Sequence, residues 1–308
     1  MITGMLDRIS NGISDEIKRK LYLYLVNVPG LDQMAKICAK RLSPVYLISF
    51  PKCGRTWLHV MIGKALQQHF AIKDPNILRI GELRNRRIGF PGIAYIHDDA
   101  AHWKKAEELL ISKDYYRFKK VIFLTRDPRD VIISLFFEKS KRLRTYLERE
   151  KEAYSDLAER IVPYEAQLHT YLQEEVGGFD TILKYYNIWA ENRHLPSKFL
   201  LVRYEDIHEN PQRELHRVLT FLGIGTVSDQ VISEAVSFSS FNNMRAMERT
   251  DRYKNDLLRP ANKEDKDSYK TRKGKVGGFT NYLNSDEIRY LNSRMRESLS
   301  PYFRYETP

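Results

Sequence analysis

Cysteine is nearly absent from this chain: Cys38 and Cys53 are the only two in 308 residues. Two thiols cannot frame a disulfide scaffold, so a reducing compartment is expected. Long apolar runs are missing as well. Asp7, Arg8, Asp15, Glu16 and Lys18 break any signal-peptide pattern, and the run Leu21–Val28 falls far short of the ~20 apolar residues of a membrane span. A soluble, cytoplasmic protein without stable membrane insertion follows. There is no internal repeat, no zinc-finger spacing and no basic stripe, which argues against a nucleic-acid partner. Acidic residues are outnumbered, 40 against 51 Lys and Arg, leaving a net charge of +11. That sign suits an anionic ligand such as a nucleotide or a sulfated or phosphorylated product.

Apolar residues make up 42% of the chain, enough for a sizeable core. The length fits one large α/β domain over 44–308, preceded by a helical extension over 1–43. Within the extension, residues 13–42 read as an amphipathic helix broken at Pro29-Gly30. Its apolar face (Leu21, Tyr22, Leu25, Val28) suits packing on the main domain or a membrane surface.

The stretch Val45–Phe70 organises the rest. Val45 to Phe50 reads as a buried strand, Pro51 to Gly54 as a tight turn, and Trp57, Leu58, Met61, Ile62, Ala65 and Leu66 as one face of a helix. A strand, a turn with lysine and glycine, then a helix is the sequence form of a phosphate cradle, because the first helical amides lack internal partners. The pattern is not that of the P-loop of nucleotide triphosphatases. Lys52 precedes Gly54, and no Ser or Thr follows the lysine to hold magnesium. Cys53 is either reactive or simply small enough for the turn.

Further along, Ile93–Ile96 reads as a second strand with a polar tip at His97, Asp98 and Asp99, and 100–117 as helix. Lys119–Thr125 is a strand ending at Arg126, and Asp127-Pro128 is a strong helix start. Residues 138–176 read as mostly helical, 180–193 as an amphipathic helix, and Phe199–Val202 as a strand before Arg203-Tyr204. Pro211–Leu222 and Ser285–Leu299 complete the helices, with 245–275 as a polar, mobile loop between them. Strands that are near-continuous apolar runs alternating with helices imply a parallel sheet with helices on both faces. Ligands bind beyond the carboxyl ends of such strands, which brings forward Lys52, His97, Arg126 and Tyr204.

Four motifs in order, PKCGRTW at 51–57, TRDPRDVIISLF at 125–136, RYEDI at 203–207 and RKGKVGG at 272–278, resemble the cytosolic-type sulfotransferase family. The resemblance runs from about Val45 to the C-terminus. It implies a P-loop-like α/β domain with acceptor-side helical additions. It also implies transfer of a sulfonate group from 3′-phosphoadenylyl sulfate (PAPS) to a hydroxyl or amine of a small-molecule acceptor, without a metal. By motif, Lys52, Cys53, Gly54, Arg55 and Thr56 would bind the 5′-phosphosulfate, and Trp57 would pack on adenine. Arg126 and Ser134 would hold the 3′-phosphate, closed over by Arg272, Lys273 and Gly274. Tyr204, Ser239 and Phe241 would meet the adenine, Lys52 would stabilise the leaving group, and His97 resembles the catalytic base, with His102 or Asp98 as substitutes. Some positions depart from the family pattern. Tyr95 stands where members often carry lysine, Phe279 where they often carry tryptophan, and no dimerisation signature is recognisable in 280–290, so oligomeric state stays open.

For the acceptor, Phe137, Glu138 and Asp98 are the expected contacts. A carboxylate cluster in a basic protein suggests a polar or cationic acceptor, unless those acids pair with Arg86, Arg87 or Lys141. Two other classes stay open from the residues alone: a small-molecule kinase of P-loop type, and a nucleotide- or nucleic-acid-binding module without catalysis.

Overall fold

The computed structural model describes residues 45–79, 91–117, 119–143 and 163–306. The expected N-terminal helical extension lies outside these residues. Four strands form one parallel sheet in the order β2-β1-β3-β4: β1 (Val45–Ser49), β2 (Ile93–Ile96), β3 (Lys120–Thr125) and β4 (Lys198–Arg203). Register pairs Leu47 with Tyr95 on one side and with Ile122 on the other. The central strands β1 and β3 are buried almost throughout, which is why they read as unbroken apolar runs.

The helices fall into two groups around the sheet. One comprises α1 (Arg55–His69), α5 (Pro211–Phe221) and α6 (Asp229–Phe238); the other α2 (Pro128–Phe137), α3 (Phe179–Asn192) and α8 (Ser285–Ser298). Between them in sequence lie α4 (Tyr204–Glu209) and α7 (Phe241–Arg249). Local chemistry sets several boundaries. Asp127 caps α2 by accepting from the Arg129 amide, with Pro128 at the first helical position. Asn284 and Glu287 form a capping box at the start of α8. The core is rich in aromatics. Phe123 stacks on Trp189 at 5.4 Å with Tyr185 and Tyr186 packed against it, and Tyr46 and Tyr171 are likewise fully buried. Such ring pairs add about 0.5–1.5 kcal/mol each beyond area burial.

Three sequence expectations are corrected. Residues 100–117 hold only short 3₁₀ turns (Asp98–Trp103, Ala106–Glu108, Asp114–Tyr116), because the chain turns through left-handed Asp99 and Ala100. The Asp99 carboxylate then ties in Lys104 and the Leu110 amide. Of 138–176, residues 144–162 lie outside the described residues; the described part is less helical than expected, with a π turn at Glu138–Arg142 and a single helical turn at Leu168–Tyr171. The polar segment 245–275 is not a loose loop. It begins inside α7 and buries Met247, Glu248, Tyr253, Leu258, Ser268 and Tyr269.

Candidate active site

The site lies at the carboxyl ends of the strands, and each strand end delivers one element of it. After β1, the turn Pro51–Gly54 places Lys52 at φ 73° and Gly54 at φ 92°, both left-handed. For a lysine this conformation costs of order 1 kcal/mol and recurs where function fixes the backbone. Gly54 caps α1 without any side-chain bond. A Cβ there would come within 2.5 Å of the Tyr204 ring, so the glycine lets β1 and α4 close on one another. The first turn of α1 carries no acidic residue, and Gly54, Arg55, Thr56 and Trp57 at its start line the cleft, where a helix N-terminus favours an anion.

After β2, His97 Nδ1 lies 2.9 Å from the Ser49 carbonyl. A carbonyl only accepts, so Nδ1 carries the proton and Nε2 keeps a lone pair in the neutral ring. Burial first, then the Arg55 charge, pushes the His97 pKa well below its usual value. His102, 5.8 Å away between ring centres, is lowered to about 3 by burial.

After β3, Arg126 stacks 4.4 Å over the Tyr204 ring. Its guanidinium donates to the Lys52 carbonyl (3.4 Å) and the Lys275 carbonyl (2.9 Å), so it touches both the first turn and the late glycine-rich segment. Tyr186 fixes this strand end from below. It accepts from the Arg126 amide at 3.0 Å, donates to the Arg126 carbonyl at 2.8 Å, and sits 3.2 Å from Cys53 Sγ.

The late segment is held by two carboxylates. Asp130 of α2 accepts from the Gly277 and Phe279 amides, each at 2.9 Å. Glu248 of α7, fully buried, accepts from the Lys270 and Thr271 amides and the Thr271 hydroxyl. Arg142 ties the same segment down by donating to the Ser268 carbonyl and, at 3.0 Å, the Arg259 carbonyl.

These elements enclose a cavity of about 750 Å³. Its wall includes Lys52, Gly54, Arg55, Thr56, Trp57, His97, Arg126, Ser134, Glu138, Tyr204, Ser239, Phe241, Arg272, Lys273 and Gly274. Lys52, Arg126 and Arg272, far apart in sequence, therefore face one cleft. Eleven lysines and arginines line it against two carboxylates, Asp130 and Glu138, an excess that suits a polyanionic ligand. Among the described residues, the buried guanidinium nitrogens Arg55 Nη1 and Arg126 Nε have no hydrogen-bond partner, which fits a site built to receive acceptor oxygens. Trp57 donates from Nε1 to the Ser239 carbonyl at 2.9 Å and leans on Tyr204 and His208, forming an aromatic corner. Gly274 at φ 61° lets the glycine-rich segment close on Phe241, whose ring a Cβ would meet at 2.7 Å.

Four expected contacts are placed differently. Cys53 is fully buried under the turn, and burial pushes its thiol up to about 12, so it is a turn filler and not a nucleophile. Asp98 points away from the cleft, ion-paired to Lys113 at 2.7 Å and accepting from the Tyr116 hydroxyl at 2.8 Å. It can be neither base nor acceptor contact there. Phe137 lies behind the wall, with Arg272 3.9 Å over its ring. Glu138 does reach the cavity, but pairs with Lys52 at 2.7 Å and Arg142 at 3.0 Å. Burial alone would raise its pKa; Lys52 and Arg142 outweigh that and hold it below the usual carboxylate range. In the free protein its charge is thus paired with two cations, so it lends no direct support to a cationic acceptor.

Sequence reasoning missed Tyr186, Asp130, Glu248, Arg142 and Lys270. Asp130 sits inside the TRDPRDVIISLF motif, so its place was visible although its role was not. Among the described residues there is no cluster of three or more His, Cys, Asp or Glu that could hold a metal, and no helix long and apolar enough to cross a membrane.

Comparison with known proteins gives the family and the fold. Residues 42–303 match the sulfotransferase domain model. Cytosolic sulfotransferase 17 of Arabidopsis thaliana is 22% identical over 284 residues, covering 87% of this chain and 78% of the relative. Human sulfotransferase 2B1 is 25% identical over 305 residues, covering 92% and 76%. Among solved structures, a mouse sulfotransferase complexed with PAP aligns with a TM-score of 0.54 at 20% identity, covering 83% of this chain and 84% of that one. A retinol dehydratase in complex with androsterone and inactive cofactor PAP aligns at 0.53 with 15% identity, covering 82% and 80%.

Proposed function

Since the chain belongs to the sulfotransferase domain family, we propose that it moves a sulfonate group from PAPS to a hydroxyl or amine of a small molecule in the cytoplasm, with His97 as the base. The observation that carries this reading is the convergence of Lys52, Arg126, Arg272 and His97 on one cavity from four separate segments.

The α1 amides with Arg55 and Thr56 form the cradle for the 5′ end of the donor. Arg126, Ser134, Arg272, Lys273 and Gly274 serve its 3′-phosphate, and the Trp57–Tyr204 corner with Ser239 and Phe241 serves the adenine. The acceptor proton passes to His97 Nε2, which is bare because Nδ1 is bound to Ser49. A base kept neutral by burial is ready for that proton at ordinary pH, a contribution of roughly 10²–10⁴-fold. Lys52, held by Glu138 in the free protein, supplies the cation for charge developing on the leaving phosphate oxygen. The bond from the acceptor's oxygen or nitrogen to sulfur forms as the bond from sulfur to that phosphate oxygen breaks, the acceptor's proton goes to His97 and the electron pair stays on the leaving phosphate.

Two measurements test this. Adenosine 3′,5′-bisphosphate (PAP) should bind saturably in calorimetry, and a panel of phenols, alcohols, amines and sugars incubated with PAPS should yield a product heavier by one sulfonate. Absence of PAP binding by the folded protein would overturn the assignment.

A further inference from the structure

Lys270 lines the same cavity. Its backbone is fixed, because its amide donates to Glu248 at 2.7 Å. Among the described residues its ammonium has no hydrogen-bond or ion-pair partner; the charges acting on it are those of Glu138, Arg142, Lys52 and Arg55. It also acts on His97. Lys270 thus shares one cavity wall with the residue that would take the acceptor's proton and with the lysine at the donor's leaving oxygen.

Its neighbours are already engaged. Lys52 is bound to Glu138, and Arg142 to Glu138 and to carbonyls of the late segment. One carboxylate therefore faces several cations here, and it is shared by two of them. Burial, opposed by Glu138, pulls the Lys270 pKa down to about 8. A cation held half out of water, close to others, and without a counter-ion is stabilised by an arriving anion.

Resting on the sulfotransferase reading, we infer that Lys270 receives the transferring sulfonate itself, binding its non-bridging oxygens beside Lys52 at the point of transfer. Two cations then share the work at the reacting centre. Lys52 addresses the phosphate oxygen that leaves, and Lys270 addresses the sulfonyl oxygens that travel. No bond to Lys270 is made or broken, and the acceptor's proton still goes to His97.

The test compares two ligands that differ at the sulfonate. PAPS carries it, whereas PAP keeps the nucleoside phosphates without it. Both are titrated calorimetrically into wild type, Lys270→Met and Lys270→Arg, each checked for an unchanged thermal transition. Lys270→Met is expected to weaken PAPS about tenfold or more while changing PAP less than twofold, and Lys270→Arg to recover most of the loss. Equal weakening of both ligands would place Lys270 on the nucleotide, and no weakening of either would place it away from the donor. Either result overturns the inference. If wild type binds neither ligand, the fault lies with the sulfotransferase reading instead.

Discussion

Asp130→Asn is the most informative single change away from the reacting centre. The side chain is buried, and its two oxygens each accept one backbone amide, from Gly277 and from Phe279, at 2.9 Å. Asparagine keeps the shape but offers one acceptor oxygen, so one amide meets an NH₂ and is left without a partner. A hydrogen bond to a charged group contributes about 1.5–3 kcal/mol, and the stranded donor adds its own desolvation cost. The 3.4 Å approach of Arg126 to the same carboxylate is lost as well. The damage falls on the segment that carries Arg272, Lys273 and Gly274 over the cleft, and at 1.4 kcal/mol per decade it corresponds to a loss of about tenfold or more in affinity. The assay is calorimetric titration of PAP into both proteins, with circular dichroism to confirm folding and a thermal scan expected to drop by a few degrees. If the folded variant binds PAP within twofold of wild type, Asp130 does not hold that segment in its binding position.

Glu248→Gln leaves the buried Arg142 with Glu138, already shared with Lys52, as its remaining counter-charge and weakens three hydrogen bonds to Lys270 and Thr271. A loss of about 1.5–3 kcal/mol in denaturant unfolding is expected, and a loss under about 0.5 kcal/mol would contradict the anchoring role. For His97, burial and then Arg55 lower the pKa, so the neutral base persists until pH falls through that lowered value. The acid limb of kcat/KM is expected well below 6.5, and a limb centred at or above 6.5 would refute the proposed environment of the base.

The sheet was legible because its signals are local. β2 was read with its observed bounds, Ile93–Ile96, from a four-residue apolar run, and the cap at Asp127-Pro128 announces α2 without any tertiary information. The binding segments were legible as motifs, and one residue from each, Lys52, Arg126, Tyr204 and Arg272, does line one cavity. What escaped was pairing at long range. Nothing local distinguishes Glu138 as the partner of Lys52, 86 residues away, so it read as a free carboxylate awaiting an acceptor. The segment 245–275 looked loose because its polarity is conspicuous, yet Glu248 gathers its amides around a buried charge, an arrangement that hydropathy cannot reveal. Residues 100–117 have helix-forming composition, but the left-handed pair Asp99-Ala100 bends the chain before a helix can propagate.

Arg126 grips the carbonyl of Lys52 with one nitrogen and that of Lys275 with another. The opening turn of the sheet and a loop near the far end of the chain are thereby clasped by a single guanidinium. A fragment that stops short of the loop would keep all four strands yet lose half of the clasp. A molecule seated in the cleft would act as a staple across both, so its presence should be read in slower proteolysis of the entire domain and not only in quieter motion beside it.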